Sequence, residues 1–118
     1  MARKKVPRTL EFDMVGMQHR LTMSTRRMLR GHVAEAPVIC MLEREPGNPA
    51  DENALMVKVH DVDSPYDKMH IGYVPRKVAA EMSPRIDSGE IVVTVAYLVD
   101  VMPEDGEGGL QVRIKTAG

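Results

Sequence analysis

The chain has 118 residues and 13.1 kDa, a size that suits one domain with a modest core and argues against two independently folding ones. Its single cysteine, Cys40, excludes an internal disulfide, four scattered histidines give no zinc-ligand spacing, and no apolar run approaches the roughly 20 residues that cross a bilayer, so a cytoplasmic protein without cofactors is expected. The net charge of −1 hides an asymmetry, because residues 1–30 carry a net +6 and the remaining 88 a net −7.

Residues 1–9 read as a basic flexible N-terminus, either solvated or drawn to phosphate, and residues 10–116 as one domain. From Leu10 to Met17, Leu10, Phe12 and Met14 alternate with Glu11 and Asp13, which predicts a first strand, with Gly16 suited to a bulge. Thr22 to Arg30 fits a short basic helix stopped by Gly31. The wholly apolar run Val38 to Leu42 predicts a strand covered on both faces. Residues 43–53, EREPGNPADEN, hold two prolines, a glycine and two asparagines, so this segment must be a loop.

Alternation returns from Ala54 to His60, with Leu55, Val57 and Val59 on one face. With the turn DVDSPYDK and the strand MHIGYV, residues 54–74 form a predicted hairpin in which His60 and His70 face each other on the solvent side. Two histidines without further ligands rarely make a metal site. Pro75 suits a helix start, and the helix is expected to run from Arg76 to Met82 until Ser83-Pro84 interrupts it. After the turn at Asp87-Ser88-Gly89, residues 90–101 alternate as a long strand, bent or bulged, with Ile91, Val93, Val95, Tyr97, Val99 and Val101 on one face. The acidic turn PEDGEGG leads to a last strand with Leu110, Val112 and Ile114. Six strands and two short helices without a repeating strand-helix unit predict a mainly β protein, a small bent sheet or barrel.

The most informative stretches are Glu45-Pro46 with Asn48-Pro49-Ala50-Asp51-Glu52-Asn53-Ala54, and Ile71-Gly72-Tyr73-Val74-Pro75-Arg76. Together they resemble the HIRAN domain, a module at the N-terminus of some DNA-remodelling and fork-reversal helicases that also occurs free-standing, and the likeness spans residues 10–101. The resemblance implies an OB-like fold and a non-enzymatic DNA-binding role in repair or replication, with recognition of single-stranded DNA ends carrying a 3′-hydroxyl, or of damaged or branched DNA. It implies nucleic-acid-binding positions at His19, Arg20, Asn48, Asp51, Tyr73, Arg76 and Lys77. A helicase or nuclease is the implied protein partner, and no membrane is involved. Two positions depart from end-binding members: Ala50 and His19 stand where stacking aromatics are expected. A base–aromatic contact contributes about 1–3 kcal/mol, so stacking is weakened.

The residue chemistry agrees with this implication and also allows plainer roles. A loop carboxylate such as Asp51 accepts a hydrogen bond from a terminal hydroxyl and repels a phosphate, whereas Arg76, Lys77 and the arginines at 20, 26, 27 and 30 attract phosphate. Expected on one face, these cations would give any DNA affinity, with the N-terminus adding a salt-sensitive increment. Asp51 and Asn53 equally suit side-chain to backbone bonds that stiffen a turn, Tyr73 suits either a core or a groove, and Arg76 could pair with Glu45. Cys40, inside an apolar strand, is expected to be inert. A protein–protein adaptor using the same loop groove without DNA is the alternative. A nuclease would need carboxylates around a divalent ion, and Glu43, Glu45, Asp51 and Glu52 come without a base or nucleophile.

Overall fold

The computed structural model describes residues 9–15, 23–90, 95–101 and 112–117. In chain order the elements are β1 (Thr9–Asp13), α1 (Met23–Glu35), β2 (Val38–Arg44), β3 (Leu55–Val59), β4 (His70–Tyr73), α2 (Arg76–Asp87), β5 (Val95–Val101) and β6 (Val112–Ala117). The six described strands form one sheet in the order β1-β6-β5-β2-β3-β4, every neighbouring pair antiparallel. Its two edges meet. Val15, just beyond β1, exchanges two backbone hydrogen bonds of 2.9 Å with Tyr73 of β4, which curls the sheet into an OB-like barrel.

Gly72 makes that closure possible. A Cβ at this position would lie 2.8 Å from Met14 Sδ and 3.1 Å from the Val15 carbonyl oxygen, so the crossing chain needs the hydrogen that glycine offers. Met14 instead fills the space and joins a core built from alternate residues of the strands.

The alternation of β3 is realised, with Leu55, Val57 and Val59 buried. The 54–74 hairpin also forms, but its histidines do not face each other: β3 ends at Val59, and His70 lies opposite Lys58. A register shift between Val57 and Lys58 sets that pairing. On β2 only Cys40 and Leu42 are fully buried, while Ile39 and Met41 remain 44% and 40% exposed, so the strand is covered on one face rather than both. An unbroken apolar run has no period from which its sides can be told apart.

On β5 the inward residues are Ala96, Leu98 and Val101, so the odd-numbered residues expected on one face do not keep to it. A bulge between Leu98 and Asp100 reverses the phase, so that Val101 points inward again. Residues 91–94 and the PEDGEGG turn lie outside the described residues, as do Gly16 and Met17. Thr9, counted with the basic N-terminus from sequence, is the first residue of β1 and pairs with Ala117.

Both helices outrun their expected ends. Helix α1 passes through Gly31, which costs about 1 kcal/mol relative to alanine without breaking a helix, and stops where Pro37 disfavours α backbone in Ala36. Its Leu29 is buried in the core. Helix α2 starts after Pro75, whose carbonyl accepts the first helical bond from Ala79, and continues through Pro84 to Asp87. The proline is tolerated because it and Ala80, whose carbonyl loses its helical donor, are both exposed to water. Gly89, at φ +82°, then turns the chain out of the helix.

Candidate nucleic-acid interface

The loop between β2 and β3, residues 45–54, is ordered by its own polar side chains. Asn48 Oδ1 accepts from the amides of Ala50 at 2.8 Å and Asp51 at 3.1 Å, while its Nδ2 donates to Glu45 Oε1 at 2.7 Å. Asp51 Oδ1 then accepts from the Asn53 amide at 2.9 Å. Backbone bonds from Glu45 N to Ala54 O and from Ala54 N to Asp51 O close the neck. Two prolines remove amide donors that would otherwise need partners, so a short segment becomes rigid at modest entropic cost.

Three side chains outside the loop fasten it to the barrel. Arg44 donates to the carbonyls of Ala54 and Glu52, each at 2.9 Å, and grips both carboxylate oxygens of Asp87 at the end of α2. Ser83, fully buried on α2, donates to the Asn53 carbonyl at 2.6 Å. The Tyr73 hydroxyl donates to Glu45 Oε1 at 2.9 Å, and its ring forms a T-shaped pair with His70, their centroids 4.7 Å apart. Sequence reasoning missed Arg44 and Ser83. Arg44 continues the inward phase of Val38, Cys40 and Leu42, and Ser83 shares the helical face of Ala79 and Met82; a polar residue in an apolar series was the available signal.

Arg76 opens α2 beside this loop. Its Nη2 donates to the Ala50 carbonyl at 3.0 Å, and its Nε lies 3.9 Å from Asp51 Oδ2. Arg76 is thus set against Asp51 rather than Glu45, which serves Tyr73 and Asn48. The pair is lopsided in exposure: the arginine side chain is 72% exposed and the aspartate 19%. A cation at the rim and a carboxylate tucked behind it therefore share one edge of the loop. Lys77 follows on the exposed first turn of α2.

Asn48, Asp51, Tyr73 and Arg76 accordingly gather around one loop, with the Asn48 amide largely engaged inside it, while Lys77 is exposed next to Arg76 on α2. His19 and Arg20 lie outside the described residues, as does the Arg26 side chain. Arg27 and Arg30 are exposed on α1, which rests on β5 and β2. The four loop carboxylates do not converge: Glu43 pairs with Lys58, Glu45 with Tyr73 and Asn48, and Asp51 faces Arg76, while Glu52 is exposed. Among the described residues no group of three or more His, Cys, Asp or Glu is placed to hold a metal ion. Cys40 is fully buried, and desolvation pushes its thiol up to about 12, which leaves it protonated and inert.

A search of curated proteins and a search of solved structures each find no significant match. The family model described as HIRAN domain does match, over residues 7–116 of the 118. That span takes in the described strands and helices apart from Ala117 at the end of β6, together with the loop and the α2 start that adjoins it. The chain belongs to the HIRAN domain family, a family of DNA-binding domains.

Proposed function

We propose that this domain binds single-stranded DNA at its 3′ end, as a non-enzymatic recognition module in repair or replication. The observation that carries the reading is the pairing of Asp51 and Arg76 on a fixed loop. A 3′-terminal hydroxyl is a hydrogen-bond donor, and an internal nucleotide has a phosphate in its place. The half-buried Asp51 carboxylate accepts the first and repels the second, which is a discrimination based on charge rather than on base sequence.

Arg76 takes the penultimate phosphate. Most of its guanidinium faces water, and only one of its nitrogens is committed to the Ala50 carbonyl. Lys77 adds a second, less directional cation. The half-buried Tyr73 ring, fixed at its hydroxyl by Glu45, supports the terminal base. Ala50, exposed at the loop tip, offers no ring, so affinity leans on phosphate contacts and is correspondingly salt-sensitive.

The test compares a linear single-stranded oligonucleotide ending in a 3′-hydroxyl with a covalently closed circle of the same sequence. One charge-assisted hydrogen bond is worth about 1.5–3 kcal/mol, so the linear form should bind at least about tenfold more tightly. Equal binding of circle and linear strand would leave a DNA-binding domain without end recognition.

A further inference from the structure

Away from the loop, a groove of about 510 Å³ runs between the C-terminal half of α1 and the turn that joins β3 to β4. Its floor is apolar, with Met28, Pro37 and Ile39. Four large apolar side chains are exposed among the described residues, and three of them belong to this region: Ile39 in the groove, Met41 on the same face of β2, and Val62 on the turn. Apolar side chains gathered in one exposed patch, with the fold itself covering none of them, mark a surface that another molecule covers.

Charge says what that molecule is. Glu35 stands on the α1 wall of the groove, and Asp61 and Asp63 on the turn wall. Among the described residues no lysine or arginine pairs with any of the three, whereas Glu43, Asp51, Asp87 and Glu90 each have such a partner. A cleft lined by uncompensated carboxylates focuses negative potential, which repels nucleic acid and attracts cations. Apolar surface between two acidic walls fits an aliphatic side chain with lysine or arginine on either side of it.

We propose that this groove docks a short basic segment of a partner protein, which sets an aliphatic side chain against Met28, Pro37 and Ile39 and its flanking cations against Glu35, Asp61 and Asp63. The position leaves the loop free. Arg44 pairs with Leu55 at the loop end of β2 and β3, and Cys40 pairs with Val59 toward the groove end. From Ile39 to Arg44 the strand runs five residues, about 17 Å, so a segment in the groove does not cover the edge that carries Asp51 and Arg76. One hairpin can thus hold a protein partner at one end and DNA at the other.

The experiment selects random peptides displayed on phage against the full chain without DNA, then titrates a synthetic copy of the selected consensus and follows amide shifts by NMR. The selected sequences should carry an aliphatic residue flanked by lysine or arginine, and the peptide should shift His32–Ile39 and Asp61–Tyr66. Glu35→Gln/Asp63→Asn alters exposed side chains that form none of the bonds shaping the turn. It should weaken the peptide by about three- to thirtyfold, the range for two exposed ion pairs, and leave the unfolding temperature unchanged. Failure to enrich any peptide, enrichment of acidic or uncharged sequences, shifts centred on residues 45–54, or an affinity indifferent to the charge variant would each overturn the proposal. So would shifts of the same groove amides by a single-stranded oligonucleotide, which would make nucleic acid the occupant. The peptide arm contains no DNA, so its failure leaves end recognition standing.

Discussion

Replacing Arg44 with methionine keeps the aliphatic stem and removes its bonds to the loop carbonyls and to Asp87, while Ser83 and Arg76 still reach the loop from α2. Two bonds to carbonyls are lost, each worth about 1.5 kcal/mol, the low end for a charged donor. The cost is less than their sum, because the Ala54 carbonyl keeps its bond from Glu45 and the exposed Glu52 returns its carbonyl to water. The bidentate pair with Asp87 adds at most about 1 kcal/mol, since Asp87 is half exposed. The expected total is about 2–3 kcal/mol, which at a urea slope of about 1–3 kcal/mol/M moves the unfolding midpoint by roughly 0.7–3 M. Asp87→Asn separates the parts and should cost about 1 kcal/mol or less. Urea unfolding followed by circular dichroism measures both. If Arg44→Met costs no more than Asp87→Asn, the bonds to the loop carbonyls contribute nothing, and the loop is not held from β2.

Gly72→Ala should destabilise by about 1–3 kcal/mol in thermal unfolding, because the new methyl meets Met14 and the Val15 carbonyl; an unchanged midpoint would deny the barrel closure there. Cys40 should resist alkylation of the native protein at pH 8. Its folded-state value of about 12 exceeds the usual 9.0, so its contribution to stability is present below about pH 9 and is lost as pH rises toward 12, and Cys40→Ala should show a flatter alkaline limb. Arg76→Ala should weaken single-stranded DNA binding about five- to tenfold in anisotropy titrations and reduce the salt slope by about 0.7, the value of one phosphate contact; an unchanged slope would remove Arg76 from the interface.

The parts of the structure that were legible in the sequence are those with strong local rules. Leu55, Val57 and Val59 alternate cleanly because one face of β3 is buried and the other is not, and the prolines at 46 and 49 admit nothing but a loop. Positions Asn48, Asp51 and Arg76 stood out as a set because two separated motifs carry them, and the fold does bring them together. Long-range geometry was not legible. A bend or bulge somewhere in residues 90–101 was expected, but its place at Leu98–Asp100 depends on how the strand fits β6, and the exposure of Ile39 and Met41 depends on what lies outside β2. Arg44 and Ser83 act across 43 and 30 residues of sequence respectively, so only a polar residue in an apolar series hinted at their work. Pro84 misled because a helix breaker costs little where the carbonyl it orphans faces water.

The central claim is that Asp51 reads the terminal hydroxyl by charge. It is tested most directly by anisotropy titrations of two oligonucleotides that differ only in a 3′-hydroxyl or a 3′-phosphate, run at two salt concentrations on the natural chain and on Asp51→Asn. The account predicts tighter binding of the 3′-hydroxyl by the natural chain, and a narrowed difference in Asp51→Asn as the repulsion of the phosphate disappears. The amide oxygen of asparagine can still accept the Asn53 amide, so the loop should keep its shape. Equal affinity of the folded natural protein for both oligonucleotides, with Asp51→Asn altering stability alone, would contradict it.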